Sequence, residues 1–167
     1  MELRGLGLKI GRGSAERREP EIFALAPIAS LPPRPACMDA LERVSLEMTC
    51  ADRRRVRRRL VAPDGLELGL ALPTGTVLEP GAVLYLNRAR VYVVQAALEE
   101  VVVIQPRDAL EGFKVAHAIG NLHRDICPQE DGIVALWDGA LELLLNRLKV
   151  NFSREHRAFL GRPNWEH

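Results

Sequence analysis

Four histidines carry most of the chemistry open to this chain: His117, His123, His156 and His167. The first two bracket a Gly-Asn pair in HAIGNLHRD, residues 117–125, where an apolar helical pattern gives out. An imidazole there is either an incidental group at a helix end or a nitrogen ligand held out to an ion. His117 falls on the apolar side of RDALEGFKVAHAIGNLH with Ala109, Leu110, Phe113 and Ala116, and is expected to be packed or partly buried. His123 comes after Gly120, the natural stop of that helix, so it can project into solvent or across an interface. The two are six residues apart, not the three or four that align side chains on one helix face, so local geometry makes no metal pair of them.

Other chemistries lack their signatures. Cys37, Cys50 and Cys127 are odd in number and far apart, with no CxxC, which argues against a zinc knuckle or a disulfide framework and for a reducing cytoplasm. No glycine-rich phosphate loop leads from a strand into a helix. No serine or cysteine nucleophile has an evident base. Asp125, Glu130 and Asp131 lie near His123, but acids in a turn are usually just solvated. The chain is therefore expected not to be an enzyme. Six arginines crowd RRRVRRRL at 53, 54, 55, 57, 58 and 59, suited either to phosphate or to an edge strand whose charges block aggregation. In a strand they would split between two faces. With a net charge of +1 and 5% aromatic residues, neither bulk attraction nor a stacking platform favours nucleic acid.

The elements that must position the histidines divide the chain in two. At 167 residues with 47% hydrophobic and 27% charged residues, it is long enough and ordinary enough for a soluble globular protein with a sizeable core. Residues 1–37 read as a disordered, dispensable extension: the first 36 hold five of the eleven prolines and no sustained period. Its apolar stretch IFALAPIASL is about ten residues, broken by Pro27 and too short to span a bilayer. Residues 38–102 read as an all-β, peptide-binding-like domain. ERVSLEMT alternates, LELGLALP places Leu66, Leu68, Leu70 and Leu72 on one face, and Pro80-Gly81 marks a turn. No helix of ten residues fits there.

The period then changes. VVVIQP, the helix ending near Gly120, two short strands around Asp131-Gly132, the amphipathic GALELLLNRLK and a last strand VNFSREH give the order β-α-β-β-α-β. Residues 103–156 are thus expected to form a ferredoxin-like metal-binding domain, with 157–167 as a flexible tail. The fold class is α+β, an N-terminal all-β module followed by a ferredoxin-like βαββαβ domain.

The segments RVRRRL, PDGLELGLALPTGTVLEPGAVL, VVVIQP and AIGNLH, in that order, resemble the urease accessory protein UreE family of nickel metallochaperones, over roughly Met38 to Phe152. The GNLH segment, 120–123, is similar to the family's Gly-Asn-Arg-His. That resemblance implies a cytoplasmic homodimer that binds nickel and works with urease and other urease accessory proteins, with no membrane role. It makes His123 the principal metal ligand, joined by its symmetry mate and completed by His167, His156 or His117. Affinity order alone would let zinc or copper bind in vitro as well. Three departures stand out: Leu122 replaces the usual arginine, LWDG offers no imidazole before the second helix, and the histidine-rich tail of some members is missing. A peptide- or RNA-binding adaptor that kept the fold without the metal task is the alternative.

Overall fold

The structure, a computed structural model, describes residues 27–33 and 40–161. The N-terminal half holds β1 (Glu42–Met48), α1 (Cys50–Arg54), β2 (Arg57–Val61), β3 (Glu67–Ala71), β4 (Val83–Leu86) and β5 (Arg90–Ala96). β1 pairs parallel with β5, and β4 joins the other side of β5 antiparallel. β2 and β3 form a separate antiparallel hairpin. The alternating leucines behave as their period predicts: Leu68, Leu70 and Leu72 are buried with Val44, Leu46, Met48, Leu84 and Val94 in one core.

The expected disordered extension does not reach as far as residue 37 without interruption. Ile28 forms a parallel bridge with Leu70; its N–H donates to Gly69 O at 2.7 Å and its carbonyl accepts from Ala71 N at 3.0 Å. Ile28 and Leu31 also pack on the β-module core. A chain beginning at Met38 would lose that bridge and that packing. The remainder of 1–37 lies outside the described residues.

The second half comprises β6 (Leu98–Gln105), α2 (Ala109–Gly120), β7 (Cys127–Gln129), β8 (Gly132–Leu136), α3 (Gly139–Leu148) and β9 (Asn151–Ala158). The sheet order is β7-β8-β6-β9 with every neighbouring pair antiparallel, the ferredoxin-like arrangement. A boundary at 102 would cut β6, so the module begins at Leu98; the last strand likewise runs past 156 to Ala158. At the β7–β8 turn Gly132 has φ 142°, and a Cβ there would lie 2.2 Å from Ile104 O, so only glycine fits.

The run Val101–Ile104 is apolar throughout because both faces of β6 are covered. On one face Val102 and Ile104 meet Val115 and Ile119 of α2 and Leu141, Leu144 and Leu145 of α3. On the other, Val101, Val103 and Val134 meet Cys50 of α1 and Phe159, which follows β9. The β module therefore docks through its short helix on the back of the ferredoxin-like sheet. No helix among the described residues is long and apolar enough to cross a membrane.

Candidate metal centre

α2 starts firmly. Asp108 caps it by accepting from Glu111 N at 2.8 Å, and the Glu111 carboxylate reaches back to Arg107 N at 2.7 Å. The face it buries differs from the expected one. β-Branched Val115 and Ile119 point into the sheet, whereas Leu110 and Phe113 are 62% and 73% exposed. Positions 110, 113 and 117 share a stripe at helical spacing, so His117 is also exposed rather than packed. The apolar pattern contains two stripes, and the one with the larger side chains faces outward. The Asn121 amide lies 3.1 Å from His117 Nε2, which suits a tautomer with an unprotonated Nε2.

Gly120 is not the stop. It is the last helical residue, and the left-handed position that ends the helix belongs to His123, at φ 54°. His123 N donates to Gly120 O at 2.9 Å and Arg124 N to Ile119 O at 3.4 Å, the paired bonds of a Schellman closure. Glycine normally takes this place; a side chain with a Cβ costs about 1–2 kcal/mol in it. The His123 side chain in this closure is exposed.

The loop after His123 is tied down on both sides. Arg124 is ion-paired with Asp138, the residue that caps α3 by accepting from Leu141 N at 2.9 Å. Asp125 is paired with Arg54 of α1 at 2.5 Å. It is thus no merely solvated turn acid, and sequence reading could not find its partner across 71 positions. Asp131, the other turn acid, pairs with Arg157 at 2.8 Å.

The arginine run dissolves into separate roles. Arg53 and Arg54 belong to α1, while Arg57–Arg59 lie on β2. Arg53 is fully buried between the modules, donating to Phe159 O at 2.5 Å; its Nε and Nη1 have no hydrogen-bond partner among the described residues. Arg58 is paired with Asp52 at 2.6 Å. No contiguous phosphate patch results from the run. Beside Arg53, burial pushes the Cys50 thiol up, which makes it a packing group rather than a ligand.

His156 is exposed on β9 opposite Glu100. By strand alternation it shares a face with Arg154, whose guanidinium stacks 3.8 Å above the Trp137 ring. His167 lies outside the described residues. Within one chain, no group of three or more His, Cys, Asp or Glu among the described residues is placed to hold one metal ion. α2 carries the exposed His117 on its last turn and the exposed Leu110 and Phe113 on earlier turns, and the exposed His123 follows three residues after the helix end.

These features define a class: a two-module α+β protein whose ferredoxin-like half presents an imidazole beyond its first helix. Comparison with known proteins shows the family. The family described as UreE urease accessory protein, N-terminal domain, matches residues 33–97. The urease accessory protein UreE of Deinococcus radiodurans is 52% identical over 143 residues, covering 86% of this chain and 92% of that relative. UreE of a Synechococcus strain is 49% identical over 125 residues (75% and 84%), and UreE of Geobacillus kaustophilus 32% over 130 residues (78% and 82%). The chain belongs to the urease accessory protein UreE family. It is an accessory protein, not an enzyme.

Proposed function

We propose that this chain is a cytoplasmic nickel metallochaperone that, as a homodimer, hands nickel to urease during assembly of its active site, together with other urease accessory proteins. The observation that carries the reading is His123: an exposed imidazole kept at a left-handed position that glycine would fill more cheaply. A single imidazole holds a divalent ion weakly. A two-fold axis doubles it, and the exposed Leu110–Phe113 stripe, about three to four turns earlier on α2, supplies apolar surface for an isologous contact. Imidazole suits nickel, with zinc and copper as competitors in vitro. Few ligands at an interface leave the cargo exchangeable, which delivery requires.

His167 can complete the shell. Gly161 is packed so tightly against Arg54 that a Cβ would lie 2.7 Å from its Nη2, and Arg54 is paired with Asp125, two residues from His123. Six residues from Gly161 to His167 reach about 20 Å when extended. His156 and His117 are the remaining candidates. The alternative of an RNA-binding adaptor has less support, since the arginines are split between two elements and partly ion-paired.

The test is calorimetric titration of nickel into wild type and His123→Ala, with the mass of each measured in parallel. The expected result is one tight ion per dimer in wild type and none in a still-dimeric variant. A variant that keeps the tight phase would place the metal elsewhere.

A further inference from the structure

We infer that Arg54, on the β module, is a positioning residue for the metal loop: it holds residues 121–126 from the opposite side of the sheet and so couples the β module to His123. The inference rests on the proposed role of His123 and extends it to a second module.

The loop leaves α2 through the Schellman closure and enters β7 at Cys127. Between those points its anchors are side chains. Arg124 ties it to the cap of α3, within the same module. Asp125 ties it to Arg54, 71 residues away in the other module. Arg54 cannot easily move to follow the loop. α1 is one and a half turns long, begins at the Thr49 cap, and is locked by the buried Arg53 on Phe159 O and by Cys50 N on the Glu99 carboxylate at 2.7 Å. Gly161 closes the other side, with a virtual Cβ 2.8 Å from Cys50 Sγ as well as against Arg54. The guanidinium therefore projects from a rigid junction, and a shift of α1 must be passed to Asp125. Two residues of backbone separate that carboxylate from the imidazole, so the angle at which His123 meets a symmetry mate depends on it. Groups hydrogen-bonded directly to a ligand typically change metal affinity by ten- to a hundredfold when removed, which bounds from above the effect of a pair acting two residues away.

Charge alone predicts the opposite sign. Taking a cation away from a site that binds a cation strengthens binding. A weakening on loss of Arg54 thus reports position, and this is what makes the inference decidable.

The experiment uses the full chain with Arg54→Gln, Arg54→Lys, Asp125→Asn and the Gln/Asn double variant. Two readouts are taken: amide hydrogen exchange of 121–126 in metal-free protein, and the nickel dissociation constant. Val44→Ala, a core truncation in the β module away from the loop, controls for general loss of stability. Arg54→Gln should speed exchange across 121–126 while leaving Val115 and Ile119 protected, and should weaken nickel about tenfold. Arg54→Lys should recover part of both, and the double variant should be no worse than either single change. Should Arg54→Gln fail to fold, Asp125→Asn breaks the same pair from the loop side and decides by the exchange of 121–126, since loss of a carboxylate weakens cation binding by charge alone. Unchanged exchange, or tighter nickel binding in the Gln variant, overturns the inference, as does an equal loss of affinity in Val44→Ala. Retention of the tight phase by His123→Ala refutes the nickel reading instead, and the exchange data then decide the role of Arg54 by themselves.

Discussion

His123 and Lys149 occupy the same place in two helix endings. Each is the left-handed residue of a closure, at φ 54° after α2 and 55° after α3, and each is followed by a residue that bonds back five positions (Arg124 to Ile119, Val150 to Leu145, both 3.4 Å). Both carry the same backbone cost with the same geometry, yet only one has a side chain of a type that ligates metals at neutral pH. The pair separates what the backbone needs from what the side chain does.

Replacing either by glycine should therefore stabilise the fold by about 1 kcal/mol, the left-handed cost less the extra freedom glycine has when unfolded. For a chain of this length that is a rise in Tm of about 3 °C. Thermal unfolding of His123→Gly and Lys149→Gly should show similar gains, while nickel titration distinguishes them: only His123→Gly loses the tight phase. Equal nickel binding by both would remove the reason for keeping a histidine at 123.

Phe113 is the second lever. At 73% exposure its ring contributes little to the core of an isolated chain, so Phe113→Asp should leave the unfolding transition of a monomer within about 0.5 kcal/mol. On an isologous interface the same change sets two carboxylates near the axis, where they repel. Sedimentation should show monomers, and one-per-dimer nickel binding should go with them. A variant that stays dimeric would move the interface off this stripe.

Asp64 sets an acid limit on the β module. It accepts from Tyr92 Oη at 2.7 Å and from Arg90 Nη1 at 2.8 Å, and the tyrosine hydroxyl, first among its contacts, holds its carboxyl below the usual carboxylate range. A depressed carboxylate lends stability that is complete above its unfolded value, about 3.9, and lost as pH falls through the lower folded value. Wild type should thus lose more stability than Asp64→Asn between neutral pH and about pH 3, starting from a higher level. Urea midpoints at the two pH values measure this, and parallel losses would show that the Tyr92–Asp64 bond is not the cause. Asp52, lowered chiefly by the Thr49 hydroxyl, should leave an acid dependence of the same sign behind in Asp64→Asn.

The parts legible in the sequence are those set by local periodicity. The leucine alternation of β3, the β-α-β-β-α-β order and the Asp131-Gly132 turn all follow from neighbours a few residues apart, and each appears where its pattern lies. What was not legible depends on distance or on brevity. α1 has five residues, too few to show a helical period, and it sits inside a run that reads as strand. The buried face of α2 cannot be read from the sequence because two apolar stripes compete, and which one is buried depends on the sheet beneath. His123 stood out by its place after Gly120, but its left-handed backbone did not. The pairing of Arg54 with Asp125 has no local signal at all.

The C-terminal segment should divide at Gly161 into a structural and a metal-binding part. Phe159 is 1% exposed, packs against Cys50, Val101 and Val103, and its carbonyl accepts from the buried Arg53. Ending the chain after Ala158 removes that ring and leaves a buried guanidinium without its acceptor. Truncating a buried phenylalanine costs about 3–5 kcal/mol before the lost hydrogen bond is added, enough to shift or abolish the unfolding transition. Ending the chain after Gly161 keeps those contacts and removes His167 alone among the histidines. Nickel binding should weaken without disappearing, since His123 and its mate remain. His167→Ala in the full chain should weaken nickel binding in the same way. If the chain ending at Gly161 binds nickel as tightly as wild type, the tail histidine is no ligand, and His156 or His117 must complete the shell.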